Sequence, residues 1–296
     1  ARAAALAAPS GAQVAGHWQA LLAMPEVQMV IVSTLHDSLA EITRAAIQAR
    51  KHVLVEKPAA RSAAELEPVL QAAQGQAVKV RVGFNHRYHR AFRQARRLVD
   101  DGALGELMFI RARYGHGGRL GYDREWRADP ALSGGGELID QGPHLIDLSR
   151  WFLGDFTSVQ GFAHTFYWDM PVDDNGFMLL KTADQRVAFL HASCTEWKNL
   201  FSMEIYGRDG KLEIQGLGGS YGVERLTHYR MLPQMGPPET IAWEYPMGDD
   251  SWEVELAEFY DDIRLDRQPA AGLADALAAL RVVGSIYEES AHDHRA

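Results

Sequence analysis

The sequence has little of three things that mark particular protein classes. One cysteine, Cys194, stands among 296 residues, so no internal disulfide can form, which favours a reducing cytoplasm. No apolar run approaches the roughly 20 residues that a membrane helix needs, so we predict no membrane span. Basic residues are outnumbered, 30 against 39 acidic ones, and the net charge is −9. Nucleic acid is therefore not expected as a main partner, because duplex binding needs a basic surface.

Glycine is plentiful, yet one glycine pattern is missing. A Gly-x-Gly-x-x-Gly turn between a strand and a helix would let the backbone approach a pyrophosphate. The SGGG run at residues 133–136 follows no buried strand, and the GLGG run at 216–219 precedes no helical pattern. Neither run predicts such a turn.

The first 84 residues alternate between strand and helix patterns. Apolar runs predict strands at residues 27–34, 52–56 and 78–84, the first of them buried on both faces. Between them, residues 37–49 form a helical stripe that Asp37 or Ser38 can cap, and residues 62–74 begin with Ser62 and Glu65 at capping-box spacing. This order predicts a parallel sheet with right-handed crossovers. We expect the chain to start inside that sheet, after its second strand, either because a segment is missing from the sequence or because the protein lacks it.

The second half has a different pattern. Strands are predicted at residues 107–114, 177–182, 187–193, 203–206 and 211–214, with Asp209-Gly210 as a hairpin turn between the last two. Helices are predicted at 137–153, 253–262 and 275–290. We therefore predict an α/β fold, in which a parallel sheet is followed by an α+β domain with a large, mostly antiparallel open sheet.

The segment KHVLVEKP at residues 51–58 places a lysine where a buried strand ends. Ligands of open α/β sheets bind at the carboxyl ends of the strands. Pro58 restrains Lys57 to an extended conformation, so this side chain can orient a substrate hydroxyl or relay its proton. The alternative is a solvated lysine at a strand end.

Asp140 and His144 are four residues apart and share a face if both are helical. A carboxylate beside an imidazole suits proton transfer. Pro143 predicts that the helix is kinked or begins late. The alternatives are a core histidine or a metal site, but the remaining candidate ligands lack motif spacing with His144, so we predict no metal; these are His86, His164 and His191.

Taken together, these segments resemble the glucose–fructose oxidoreductase / inositol dehydrogenase / rhizopine-catabolism (Gfo/Idh/MocA) family. The resemblance runs from about Val27 to the closing helix, and the EKP and GGG-x-x-x-D-x-x-x-H pair is its most specific part. The residues that carry it are VIVSTLH at 30–36, KHVLVEKP at 51–58, GFNHRY at 83–88, GGGELIDQGPHLID at 134–147 and WKN at 197–199.

The resemblance implies a partial dinucleotide-binding Rossmann domain over residues 1–84 and a substrate-binding and oligomerisation domain over 85–296. It implies that Lys57, Asp140 and His144 are catalytic, with His144 as the acid/base. The implied cofactor-binding residues are Thr34, Leu35, His36, Glu56, Lys57, Pro58 and Asn85. Weaker candidates for the substrate pocket are Arg87, Trp126, Arg127 and Trp197. The sequence departs from the family pattern at Leu35, Leu39 and Arg50, where proline, histidine and glycine are common.

The resemblance predicts an NAD- or NADP-dependent oxidoreductase that moves a hydride between the cofactor and a hydroxyl carbon of a sugar, polyol or nucleotide-sugar. His144, helped by Asp140 and Lys57, would accept the hydroxyl proton. The family also implies a homodimer or homotetramer built through the C-terminal sheet. Two other classes stay open: a non-catalytic relic that binds a sugar or a protein partner, and a metal-dependent isomerase or hydrolase.

Overall fold

The first sheet of this computed structural model, which describes residues 2–293, has three parallel strands in the order β1-β2-β3. They are β1 (Met29–Val32), β2 (His52–Glu56) and β3 (Val80–Gly83). Helices α1 (Arg2–Ala7) and α2 (Trp18–Leu22) precede the sheet, α3 (His36–Gln48) joins β1 to β2, and α4 (Ala63–Ala73) joins β2 to β3. The predicted parallel alternation is confirmed, and β2 has the predicted bounds.

Two local predictions for this sheet were wrong. β1 is not buried on both faces: it lies at an edge of the described sheet, and Ile31, between buried Val30 and Val32, is 52% exposed because neighbouring side chains in a strand point to opposite faces. Helix α3 is not capped by Asp37 or Ser38, since its N-cap is Leu35, which makes no side-chain cap bond.

Helix α4 begins as its capping pattern predicts. The Ser62 hydroxyl accepts a hydrogen bond from the backbone N–H of Glu65 at 3.3 Å. The Glu65 carboxylate reaches back one residue further than a standard capping box and accepts from the N–H of Arg61 at 3.0 Å.

The second sheet has eight strands in the order β11-β10-β9-β8-β4-β7-β6-β5, and only the β4–β7 pair is parallel. The strands are β4 (Leu107–Gly115), β5 (Phe156–His164), β6 (Asn175–Thr182), β7 (Val187–Ser193), β8 (Leu200–Gly207), β9 (Gly210–Gln215), β10 (Glu224–Arg230) and β11 (Glu239–Tyr245). The mostly antiparallel sheet is confirmed, while β5, β10 and β11 were not predicted.

Six further helices complete the described chain. They are α5 (Arg90–Asp100), α6 (Pro130–Ser133), α7 (Glu137–Asp140), α8 (Gly142–Leu153), α9 (Ser251–Arg264) and α10 (Leu273–Asp293). The single helix predicted over 137–153 is divided at Gln141, and Pro143 lies in the first turn of α8, so the late start predicted from proline is confirmed.

Helices α8 and α10 connect the two sheets. Helix α8 packs on β4 and β7, and α10 contacts both α4 and β5, so the C-terminal residues return to the first sheet. A backbone hydrogen bond from Val82 to the carbonyl of Ala271 fixes this return at 3.1 Å. The carboxyl ends of the first sheet therefore face the helices that cover the second. Among the helices of residues 2–293, none has the length and apolar character needed to cross a bilayer.

Candidate active site

A hollow of about 340 Å³ lies where the carboxyl ends of β2 and β3 meet the second sheet and α8. Six of the predicted site residues line it: Glu56, Lys57, Asn85, Arg127, Asp140 and His144. Residues separated by as many as 88 positions in the sequence, from Glu56 to His144, therefore share one cavity. We refer to this cavity below as the hollow.

Lys57 and Asp140 form the polar centre of the hollow. Lys57 directly follows β2, where its peptide bond to Pro58 is cis, and its Nζ donates to Asp140 Oδ1 at 2.7 Å and to the Asp140 carbonyl at 2.6 Å. Arg127 Nε donates to the other carboxylate oxygen at 2.9 Å. Burial alone would raise the pKa of Asp140, but Lys57 and Arg127 outweigh burial and lower it below its ordinary value. Asp140 is therefore an anion held between two cations.

The glycine run before α7 places Asp140. A side chain at Gly136 would collide with the backbone of Asp173, so only glycine allows this approach. As a result, the Asp173 carboxylate accepts hydrogen bonds from the N–H groups of Gly136 at 2.9 Å and Leu138 at 2.7 Å. These bonds fix the first turn of α7, whose last residue is Asp140. The SGGG run thus has a structural role in the site and follows no strand.

His144 lies in the first turn of α8 and is buried against the hollow. Its Nδ1 has no hydrogen-bond partner among the described residues. Burial and then the Lys57 cation lower its pKa well below 6.5, so the imidazole is neutral at ordinary pH. A neutral ring beside a cavity can accept a proton.

The predicted cofactor residues follow the ends of all three strands. Asn85 comes after β3, lines the hollow and donates to the Ser251 hydroxyl at 2.9 Å. Glu56 also lines the hollow, and burial raises the pKa of its carboxyl. Thr34 and Leu35 follow β1; Thr34 is exposed and its hydroxyl accepts from Ser38 Oγ at 2.9 Å. Pro58 is buried behind Lys57.

His36 begins α3 and lies just outside the hollow. Its Nδ1 donates to the Ser133 carbonyl at 2.8 Å, and burial, followed by the charge of Lys57, lowers its pKa to about 4. The rings of Trp126 and His36 meet edge to face with their centroids 4.9 Å apart, and the Arg127 guanidinium lies 4.5 Å from the centroid of the indole. Trp126 therefore supports Arg127 and does not itself line the hollow.

Two predicted substrate residues lie away from the hollow. Arg87 forms a buried ion pair with Asp147. The Nε of Arg87 donates to one carboxylate oxygen of Asp147 at 2.7 Å, and a terminal guanidinium nitrogen donates to the other at 2.5 Å. Trp197 is 65% exposed and packs edge-on against Tyr167. Both residues lie within the quoted family motifs, but the direction of a side chain is set by packing that the motif does not encode.

Several lining residues were not predicted. They are His86, His89, Tyr114, Gln141, Tyr221, Asp249 and Trp252, together with residues 217–220 of the loop that begins with the GLGG run. His86 and Gln141 could have been found, because each lies within a quoted motif. Tyr114, Tyr221 and Trp252 come from a strand, a short 3-10 helix and an α-helix that are far apart in sequence. Within the part of the chain that the structure describes, no group of three or more His, Cys, Asp or Glu side chains could hold a metal ion.

Two models of known protein families match the sequence over most of its length. A model described as "Oxidoreductase family, NAD-binding Rossmann fold" matches residues 1–84, and a model of the GFO/IDH/MocA C-terminal domain matches residues 92–213. The chain belongs to the GFO/IDH/MocA oxidoreductase family. Its first sheet, which lies within residues 1–84, therefore belongs to an NAD-binding Rossmann fold.

Individual members of the GFO/IDH/MocA family show how far the similarity extends. The chain is 29% identical to a levoglucosan dehydrogenase of Pseudarthrobacter phenanthrenivorans over 56% of its own length and 43% of the relative's. It is 29% identical to an inositol 2-dehydrogenase of Pseudomonas fluorescens over 89% of this chain and 74% of that one. A levoglucosan dehydrogenase solved with NADH and levoglucosan superposes with a TM-score of 0.86 at 22% identity, over 98% and 85% of the two chains, which shows a shared fold.

The residues present fit the nicotinamide end of such a cofactor. The segments after β1, β2 and β3 open at one edge of the sheet, as nucleotide sites of parallel sheets do. Three of the predicted cofactor residues line the hollow: Glu56, Lys57 and Asn85.

Proposed function

We propose that this protein is an NAD- or NADP-dependent dehydrogenase that acts on a hydroxyl carbon of a sugar or polyol. The observation that supports the proposal is the convergence of Lys57, Asp140 and His144 on one hollow at the carboxyl edge of the parallel sheet. Two of these groups are charged and the third is a neutral base, a combination suited to removing a hydroxyl proton. The nicotinamide, when bound, supplies the hydride acceptor.

In this proposal each side chain has a separate task. Lys57 donates hydrogen bonds and can direct one toward a substrate oxygen that enters the hollow. Asp140 holds the Lys57 ammonium at 2.7 Å and stays ionised. His144 accepts the hydroxyl proton in oxidation and returns it in reduction. The carboxylate of Asp140 raises the pKa of His144, whereas burial and Lys57 lower it by more, so the protonated ring is a ready proton donor.

The size and lining of the hollow favour a small polyhydroxylated ring. A volume of about 340 Å³ is at the small end of the usual range for ligand sites. Its lining offers hydrogen-bond groups on Gln141 and Asp249 and aromatic rings on Tyr221 and Trp252. These features, with the inositol and levoglucosan dehydrogenases among its relatives, favour a monosaccharide or cyclic polyol over a larger nucleotide-sugar.

Cofactor binding and turnover test the proposal directly. We expect the purified chain to bind NADH or NADPH, seen as a change in nicotinamide fluorescence and a raised melting temperature. We then expect absorbance at the reduced-nicotinamide band to grow with inositol, levoglucosan or a common aldose and the oxidised cofactor. A chain that binds sugar but neither cofactor would support the relic instead. Activity that is lost on chelation and restored by metal would support the isomerase or hydrolase.

We further propose a homodimer or homotetramer that assembles through the outer face of the large sheet, in a cytoplasmic protein. Neighbouring strands β5, β6 and β7 present four apolar side chains on that face: Phe162, Phe177, Leu179 and Phe189, three of them exposed and Phe177 half-buried. These four make up half of the residues that line the adjoining groove of about 630 Å³. A contiguous apolar patch that is exposed on a monomer often marks an interface with another protein.

The assembly prediction has a matched pair of variants. Phe189 and Leu265 are each 51% exposed, but only Phe189 lies on the sheet face. We expect Phe189→Glu to convert the oligomer to monomer in sedimentation velocity, because a charge in an apolar interface is costly. Leu265→Glu should leave the sedimentation coefficient unchanged. A wild-type chain that sediments as a monomer would contradict the proposed assembly.

A further inference from the structure

His144 is stacked on a second histidine. The ring centroids of His86 and His144 lie 3.9 Å apart and their planes make an angle of 21°. Both side chains are buried and both line the hollow. His86 comes from the short 3-10 helix Asn85–Tyr88 after β3, so the pair joins the first sheet to α8.

His144 lacks the contact that usually orients an acid/base histidine. Such a ring commonly donates a hydrogen bond from its second nitrogen to a carbonyl or carboxylate, which fixes both its plane and its tautomer. The Nδ1 of His144 is buried and has no partner among the described residues. The other neighbouring rings touch it only by their edges, Phe84 at 6.2 Å and Tyr114 at 6.0 Å between centroids. Among the ring contacts of His144, the nearly parallel one with His86 is the closest.

We propose that His86 is a positioning residue, whose ring face holds the imidazole of His144 in the orientation that accepts the substrate's proton. The inference rests on the proposed function, in which His144 is the acid/base. It assigns His86 no contact with the reacting atoms and no transfer of its own.

The charges around His86 suit this role. It faces His144 from α8, His89 from its own segment, Lys57 from the end of β2, and the rings of Tyr114 and Phe201 from β4 and β8. Beyond His89 lie the carboxylates of Glu224 and Asp249, at 3.3 and 3.9 Å from its Nδ1. Burial, then His144, His89 and Lys57, lower the pKa of His86 well below 6.5.

It follows that His86 stays neutral when His144 gains a proton. Two adjacent cations in a buried site would repel each other, so the stacked pair carries at most one charge. A neutral ring at this position fixes its neighbour without competing for the proton.

Two variants test whether the flat ring of His86, and not only its volume, positions His144. In assays with inositol and levoglucosan, we expect His86→Leu to lower kcat by roughly 10- to 100-fold, because small misalignment of a reacting group is costly, and to leave KM nearly unchanged. His86→Phe, which keeps a ring face, should retain most of kcat. Full kcat in the leucine variant, or an equal loss in the phenylalanine variant, would overturn the proposal.

A spectroscopic readout keeps the inference independent of turnover. In nitrogen-15 spectra of histidine-labelled protein, His144 should give one sharp set of ring signals in the wild type. In folded His86→Leu protein, these signals should broaden or shift toward a mixture of tautomers. Unchanged His144 signals would refute the positioning role. Absence of turnover by wild-type protein on every sugar would instead refute the proposed function, and the spectra would still decide the role of His86.

Discussion

Replacing His144 with alanine is expected to lower kcat by about 10²- to 10⁴-fold, the range typical of a lost general acid/base. His144 lies next to Lys57 and Asp140 in the hollow, and burial lowers its pKa so that the ring is neutral. Alanine removes the proton acceptor but leaves the Lys57–Asp140 ion pair in place. KM for the sugar should therefore change much less than kcat.

The measurement is steady-state kinetics with either nicotinamide, together with NADH binding by fluorescence. His17→Ser is a suitable control, because His17 is exposed, lies at the N-cap of α2, and serine can keep the capping hydrogen bond. We expect this variant to match the wild type. If His144→Ala kept full turnover, His144 could not be the acid/base, and the inference about His86 would lose its basis.

The pH dependence of the wild-type rate adds to this test. A neutral histidine base becomes ineffective once it is protonated in the free enzyme, so the rate should fall as pH drops through its pKa. Since burial and Lys57 lower the pKa of His144, we expect kcat/KM to stay level down to pH values below 6.5. A fall centred on 6.5 would indicate a solvated histidine.

The sequence predicted a helix or strand correctly where the residues of that element carry a clear local pattern. Apolar runs located β2 and β7 with their exact bounds, and the proline at position 143 predicted the break before α8. The edge strands β5 and β11 were missed because an edge strand has one neighbour and little burial. In β11 only Trp243 and Tyr245 are half-buried and the other five residues are exposed, so the strand contributes no buried apolar run.

The site was predictable in part for a related reason. Lys57, Asp140 and His144 stand in motifs, and the end of a buried strand already indicates where a ligand binds. The stacking of His86 on His144 could not be read from the sequence, because it depends on how the 3-10 helix after β3 meets α8. The direction of Arg87, one residue further along, depends on the same packing.

Of the substitutions considered, replacing Arg87 is expected to lower the stability of the protein most. Arg87 makes a two-pronged ion pair with Asp147, donates to the Ala270 carbonyl at 2.6 Å, and lies 3.3 Å from Asp275. Arg87 and Asp147 are both buried. The pair therefore ties the segment after β3 to α8 and to the start of α10.

We expect Arg87→Met to lower the free energy of unfolding by about 3–5 kcal/mol, the cost of leaving a buried charge without its partner. Burial already raises the pKa of Asp147, and Arg87 is the first of the charges that oppose this rise. Denaturant titration measures the loss. Arg208→Met serves as a control, since Arg208 and Glu106 form an exposed pair, for which changes stay below about 1 kcal/mol.

The double variant Arg87→Met with Asp147→Leu identifies the cause. If the unpaired carboxylate is what destabilises the single variant, removing it should restore part of the lost free energy, because an apolar pair of similar volume can replace a buried ion pair. Since Arg87 does not line the hollow, KM should be unchanged in the folded protein. A single variant with normal stability and a raised KM would return Arg87 to the substrate pocket, where the family resemblance had placed it.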